Sequence, residues 1–378
     1  MRHFLSLAAA LTLAVPASAQ APSYDSTAPI AYMVDLSSGA VLYSRAADKR
    51  MPPASMAKMM TVLVAFDLID SGKVSADKKI LVGEDSWREW NNRGSSMFLG
   101  VNEQVSVRNL LHGIVTLSGN DATVVLAKGL AGSEQAFVGM MNEKARKIGM
   151  SNSHFGNTNG WPDEGVTYVT AKDLATLAKA TIEEHPKLYE EYYGQHNFTW
   201  QGIKQPNRNP LIGKVQGADG LKTGHTEEAG YGFTGSAEQN GRRLVEVVAG
   251  LDTYNNRIEE SVAFMNWGFG AWTTKPLYKK GTEVIEAKVQ QGGSRSVPLV
   301  APRDLAVTLP ATQGGDYKVA VRYEGPLTAP IAKGAKVADL IVTTADGSTQ
   351  QMPLVAGEDV GEAGIFSRIW NGFLSLFA

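Results

Sequence analysis

Two runs near the start of the chain, Ala31-Tyr32-Met33-Val34-Asp35-Leu36 and Ala40-Val41-Leu42-Tyr43-Ser44-Arg45, read as strands. Ser37-Ser38-Gly39 between them is turn chemistry, so the pair predicts a hairpin. Met51-Pro52-Pro53-Ala54 breaks the extended run. From Ser55 to about Asp70 the sequence is apolar nearly all round, the pattern of a buried helix, and Gly72 supplies its stop. Helical spacing recurs over Val105 to Leu117 and Ala122 to Leu130, which puts Ser118-Gly119-Asn120 on a connection between helices. Another helix is predicted from about Ser133 to Ile148, ending at Gly149. Thr170-Ala171-Lys172-Asp173 reads as a capping box that opens a further one, which makes Asp173 structural rather than catalytic.

Lys222-Thr223-Gly224 precedes a predicted hairpin, Tyr231 to Ser236 and Arg243 to Ala249, turned by Asn240-Gly241. A helix from about Asn255 to Phe269 returns to cover that sheet. Helices bracketed by early and late strands indicate an α+β domain over 24–272, its terminal segments joined in one antiparallel sheet. Near Trp272 to Lys275 the texture changes. Short alternating runs such as Glu283-Val284-Ile285-Glu286-Ala287 and Tyr317-Lys318-Val319-Ala320-Val321, punctuated by glycine and proline, predict a small all-β domain over 275–360.

Both ends carry apolar segments of another kind. Arg2 and His3, the apolar run Phe4 to Val15 and then Pro16-Ala17-Ser18-Ala19 describe a secretory signal over 1–19, too short to span a bilayer as a mature helix. Over 364–378, Ile365, Ile369, Phe373 and Leu376 share one broad apolar face with Phe366, Trp370, Leu374 and Phe377. This amphipathic helix is either an interfacial membrane anchor or a tail docked on its own protein. The acidic Glu358, Asp359 and Glu362 just before it keep the second reading open.

A formal net charge of −2 over 378 residues leaves no electrostatic footprint for nucleic acid. With no cysteine, disulfides, thiol nucleophiles and thiolate metal sites are excluded. The six histidines show no H-E-x-x-H or comparable spacing, and no phosphate-cradling glycine loop occurs, so nothing points to a metal or cofactor.

Three strings carry chemistry together: Ser55-Met56-Ala57-Lys58, Ser118-Gly119-Asn120 and Lys222-Thr223-Gly224. An S-x-x-K alone arises by chance about once or twice in a chain of this length, and Ser75-Ala76-Asp77-Lys78 is such a decoy. Ser55 and Lys58 lie one helical turn apart and so share a face. A serine hydroxyl needs a base beside it, and burial in an apolar helix disfavours the ammonium form of Lys58. A cationic Lys222 would push the same way, so a neutral Lys58 can take the Ser55 proton. Ser118 suits proton relay toward a leaving amine, and Asn120 suits holding Lys58 and a substrate amide. Lys222 and Thr223 suit a carboxylate, and Gly224 would let a substrate backbone approach the strand edge. An oxyanion hole is expected from the backbone N–H groups of Ser55 and His225. Met59 and Met60 read as core packing.

This set is the known mark of penicillin-binding proteins and class A β-lactamases. The chain resembles a low-molecular-mass penicillin-binding protein, a serine-type D-alanyl-D-alanine carboxypeptidase, from Ala31 to the C-terminal helix. The resemblance implies a penicillin-recognising serine transpeptidase/β-lactamase-like catalytic domain, a β-rich domain and an anchor on the periplasmic face of the inner membrane. It implies the peptidoglycan pentapeptide stem as substrate and β-lactam antibiotics as covalent ligands. Asn207-Arg208-Asn209 is similar to the family's Asn-x-Asn segment, which implies that Arg208 helps position the terminal carboxylate; a solvated surface arginine is the alternative. Pro210 and Asn159-Gly160-Trp161-Pro162 depart from the family pattern, where His-Gly-Leu is common at the latter. A β-lactamase would want S-D-N and an activating loop glutamate, whereas this chain has Gly119 in the middle and only Asp163 and Glu164 in the loop. A non-catalytic wall-binding scaffold of the same fold need not keep Ser55 and Lys58.

Overall fold

The computed structural model describes residues 22–312 and 315–363; the expected signal segment 1–19 and the tail helix 364–378 lie outside them. The chain opens with strands β1 (Ile30–Asp35) and β2 (Ala40–Arg45), then a short 3-10 turn (Ala54–Ala57) that runs straight into α1 (Lys58–Asp70). There follow β3 (Lys79–Leu81), α2 (Glu84–Trp90), β4 (Gln104–Ser106), α3 (Val107–Leu117), α4 (Asn120–Ala131), α5 (Glu134–Lys147), α6 (Ala171–Glu184) and α7 (Pro186–Tyr193). The hairpin β5 (Asn197–Trp200) and β6 (Ile203–Pro206) leads to β7 (Ala218–Thr226), β8 (Gly230–Gln239), β9 (Arg242–Leu251) and α8 (Tyr254–Gly270).

The main sheet runs β2-β1-β9-β8-β7, antiparallel throughout, so the first and last strands of the unit meet at its centre. Both faces are covered. Ile30, Tyr32, Val245 and Val247 pack into the helical core with Met59, Met60 and Leu63 of α1. The alternate positions Ala31, Met33, Leu244 and Val248 pack against Phe264 and Met265 of α8. This two-sided burial makes the strands continuous apolar runs rather than alternating ones. It also removes water from around the start of α1, because the helix is buried on every side from Lys58 to Phe66.

Three sequence expectations change. Lys222-Thr223-Gly224 lies within β7, a third strand of the meander, rather than ahead of a hairpin; its glycines and polar residues hide the strand from propensity. Ser55 sits in the 3-10 turn and Lys58 begins α1, so the helix starts three residues later than expected. Thr170 does cap α6, accepting from the backbone N of Asp173 at 3.1 Å. The Asp173 carboxylate, however, accepts from Asn152 N and Ser153 Oγ at 3.0 and 2.7 Å instead of closing a capping box. Helices α2 and α7, the antiparallel pair β3 and β4 and the hairpin β5–β6 had no sequence counterpart.

Beyond α8 come β10 (Trp272–Tyr278), β11 (Glu283–Gln290), β12 (Ser296–Val300), β13 (Leu305–Pro310), β14 (Tyr317–Arg322), β15 (Leu327–Thr328), β16 (Lys336–Thr344) and β17 (Thr349–Ala356). Six of them form a sheet in the order β14-β16-β17-β12-β11-β15, and β10 pairs with β13. Their apolar residues make a separate core. Asp35, fully buried, ties this part to the first: it accepts from Arg242 Nε at 2.6 Å and Thr308 Oγ1 at 2.9 Å. Arg303 donates to the carbonyls of Leu36 and Ser37 at 2.7 and 2.6 Å. Among the described residues no helix is long and apolar enough to cross a membrane.

Candidate active site

Ser55, Asn120, Asn159, Trp161, Arg208 and His225 line one cleft of about 360 Å³ between the helices and the free edge of the sheet at β7. The turn that carries Ser55 is locally strained. Ala54, just before Ser55, sits at φ +46°, and Ser118 across the cleft at φ +63°. Such left-handed positions cost on the order of 1–3 kcal/mol each for residues with a Cβ, and surrounding contacts must hold them. Two glycines make room for this turn. A Cβ at Gly160 (φ +75°) would lie 1.8 Å from the Ala54 carbonyl oxygen. One at Gly224 would lie 2.7 Å from the Pro53 carbonyl oxygen. Gly224 is therefore required for packing strand β7 on the turn that carries Ser55, a need the sequence did not point to.

Lys58 is fully buried, and its Nζ lies 2.8 Å from Ser55 Oγ, 2.8 Å from Asn120 Oδ1 and 2.7 Å from the carbonyl oxygen of Asn159. Burial drives its pKa well below 10.5, and the positive charge of Arg208 adds to the effect, with Asp121 opposing it. Arg208 is thus a cationic neighbour of Lys58 that the sequence did not point to, beside the expected Lys222, whose charge and that of Lys58 disfavour each other. Lys222 is itself buried; its Nζ reaches Ser118 Oγ at 2.9 Å and the Thr223 carbonyl oxygen at 3.1 Å. Desolvation, then Lys58, Arg208 and Arg257, hold its pKa well down too. Two ammonium groups in one dry site titrate as a coupled set, and the first proton to leave is favoured by both burials.

A neutral Lys58 fits its three contacts in one way. Two of its partners are carbonyl oxygens, which can only accept, so its two N–H bonds go to Asn120 and Asn159. The lone pair then faces the hydroxyl of Ser55, which can donate. Asn120 is held in turn by its Nδ2, which donates to the Arg93 carbonyl oxygen at 3.2 Å.

Arg208 reaches the cleft and donates from Nη1 to Ser95 Oγ at 2.6 Å. Its segment is anchored by Asn209 Nδ2, which donates to the Gly220 carbonyl at 2.9 Å. His225 stacks on Tyr231 with ring centres 3.8 Å apart, and Arg257 lies beneath that ring and donates to the Gly224 carbonyl at 3.3 Å. All nine residues singled out in the sequence surround this cleft or the strand that borders it.

Sequence reasoning missed the parts that hold the set together. Asp121, directly after Asn120, clamps the opposite loop by accepting from Ser96 Oγ and from the backbone N of Met97 and Leu99. Its place in the first turn of α4 was the available signal. Thr61, one turn after Lys58, donates to the Thr158 carbonyl at 2.6 Å and so fixes the segment that presents Asn159. No sequence pattern links residues so far apart. The loop carboxylate Asp163 is occupied by Asn157 Nδ2 at 2.8 Å and by Thr167 N and Oγ1, and Glu164 is exposed. Neither is placed as the water-activating glutamate of a β-lactamase.

Comparison with known proteins gives a consistent picture. A family model described as D-alanyl-D-alanine carboxypeptidase matches residues 16–253, and one described as penicillin-binding protein 5, C-terminal domain matches residues 272–362. The D-alanyl-D-alanine carboxypeptidase DacA of Haemophilus influenzae is 37% identical over 350 residues, covering 91% of this chain and 88% of that one. DacC of Escherichia coli is 37% identical over 379 residues, covering 99% and 94%. Among solved structures, penicillin-binding protein 5 from Haemophilus influenzae superposes with a TM-score of 0.75 at 36% identity, covering 90% of this chain and 99% of that one. Penicillin-binding protein D2 from Listeria monocytogenes in its ampicillin-bound form gives 0.59 at 33% identity, over 66% and 99%.

Proposed function

The chain belongs to the D-alanyl-D-alanine carboxypeptidase family, a serine-type peptidase, and on that premise we propose that Ser55 and Lys58 form the reacting pair. The substrate is the peptidoglycan stem peptide ending in D-Ala-D-Ala, and β-lactams occupy the same cleft. The observation that carries this reading is the buried Lys58 Nζ, 2.8 Å from Ser55 Oγ and 2.8 and 2.7 Å from two carbonyl oxygens, an arrangement that suits a neutral amine accepting from the hydroxyl.

Lys58 takes the Ser55 proton as Oγ attacks the carbonyl of the penultimate D-Ala. The backbone N–H groups of Ser55 and His225 face the oxyanion that forms. As the C–N bond breaks, the proton that Lys58 took passes through Ser118, which Lys222 holds at 2.9 Å, to the terminal D-Ala amine, and Lys58 is neutral again. Lys222, Thr223 and Arg208 bind the terminal carboxylate, and Asn120 keeps the amide and Lys58 in register. Water, deprotonated by Lys58, then attacks the acyl-Ser55 ester; as the acyl–oxygen bond breaks, Lys58 returns the proton to Ser55 Oγ and the shortened stem leaves as its carboxylate. A β-lactam enters by the same attack, and its ring-opened acyl group leaves slowly.

Incubation with a D-Ala-D-Ala-terminated peptide releases D-alanine, and Ser55→Ala abolishes it. Labelling by fluorescent penicillin at any side chain other than Ser55 would overturn the assignment. We further propose export by the segment 1–19 to the periplasm and attachment to the inner membrane through 364–378. A chain ending at Ala363 should then lose co-flotation with lipid vesicles that the full chain retains; equal flotation would remove the anchor role.

A further inference from the structure

A cation at the rim of the cleft has no role in the chemistry above. Arg93 follows α2 and is exposed, with its guanidinium carbon 5.0 Å from the ring centre of Trp90 and 4.8 Å from that of Trp161. The two indoles meet edge to face at 5.5 Å and 80°. Among the described residues no carboxylate pairs with Arg93. Asp163, two residues from Trp161, is committed to Asn157 and Thr167.

Its position relative to the reacting atoms is defined. The Arg93 carbonyl accepts from the amide of Asn120, whose oxygen holds Lys58. The next residue, Gly94, sits between the Asn120 amide and the Trp161 indole; a Cβ there would lie 2.9 Å from each. Gly94 and Trp161 line the same cleft as Ser55. If Lys222, Thr223 and Arg208 hold the terminal carboxylate and Asn120 the stem amide, as proposed above, the acyl half runs past Asn120 and Trp161, which line the cleft beside Ser55.

We propose that Arg93, held by Trp90 and Trp161, binds a carboxylate on the acyl half of the stem peptide, upstream of the D-Ala that is transferred to Ser55. This rests on the peptidase reading above. A guanidinium stacked on aromatic faces keeps its N–H edge free and loses little freedom when a carboxylate arrives, which a flexible lysine would not match. The fork matches a carboxylate in two parallel hydrogen bonds. Because the contact is remote from the scissile bond and equal in ground and transition states, it acts on KM rather than kcat.

The test uses a stem-type pentapeptide ending in D-Ala-D-Ala with free carboxylates on its upstream side chains, and a twin with those carboxylates converted to carboxamides. At low ionic strength the native chain should favour the acid by about fivefold in kcat/KM, through KM, as the upper end for an exposed ion pair allows. Arg93→Gln should bring the ratio to about one, and Arg93→Lys should retain part of it. The ratio is internal to each variant, so an altered overall rate does not disturb it. No preference in the native chain, or an unchanged preference in Arg93→Gln, overturns this inference alone. No D-alanine from either peptide overturns the peptidase reading and takes this inference with it.

Discussion

Replacing Lys58 by arginine bears directly on how the serine is activated. The Lys58 amine is fully buried and closed in by three oxygens at 2.7–2.8 Å. A guanidinium keeps its proton in a protein, so the variant retains a cation but loses the acceptor for the Ser55 proton. A positioned general base contributes about 100- to 10,000-fold. The direct 2.8 Å contact with Ser55, with no intervening water needed, argues for the middle of that range. We expect acylation to slow by about 1000-fold, or about 4 kcal/mol in barrier. The rate of labelling by fluorescent penicillin reads acylation alone, and D-alanine release reads the full cycle. The pH dependence adds a second readout. Burial and the charge of Arg208 lower the Lys58 pKa well below 10.5, so the native rate falls as pH drops through that lowered value and the amine becomes charged. The arginine variant should lack this acidic limb. Labelling within tenfold of the native rate by a folded variant, or an acidic limb that persists, would refute the base role.

Three further outcomes follow from other contacts. Gly160→Ala places a Cβ 1.8 Å from the Ala54 carbonyl at φ +75°, so it should cost about 3 kcal/mol or more in denaturant unfolding and slow penicillin labelling; unchanged unfolding would contradict the packing described. Thr61→Val removes the donor to the buried Thr158 carbonyl and should cost about 1–3 kcal/mol, seen as a lower midpoint at constant slope; an unshifted midpoint would mean that this bond carries no weight. His185 sits between Asp67 and Asp70, with Lys144 bridging Asp67 to Glu184. Burial disfavours its charge, but the hydrogen bonds to the two aspartates outweigh this and raise its pKa above 6.5. A raised pKa gives stability that is full below the unfolded value and lost as pH rises through the folded one. His185→Gln should therefore lower the melting temperature more at pH 5.5 than at pH 9; equal losses would exclude a charged His185.

Much of this molecule is legible locally. The buried helix after Ser55, the helix start near Ser133, the cap at Thr170 and the Asn240-Gly241 turn depend on neighbours a few residues away, and each is found within a few residues of where the pattern places it. The three strings that carry the family resemblance are likewise short, and the proposed roles of nucleophile, base and carboxylate site rest on their residue types. What the chain could not disclose is who touches whom across a long separation. Lys58 owes its second carbonyl partner to Asn159, 101 residues away, and its electrostatic neighbour to Arg208. Gly224 proves necessary where β7 lies against the Pro53-Ala54 backbone, a contact that no local pattern shows. Arg93 meets Trp161 only when the segment after α2 folds over the Asn120 turn. Periodicity and capping are written in nearest-neighbour sterics, whereas these meetings depend on strand order and on the packing of helices against the sheet, and no local spacing encodes either.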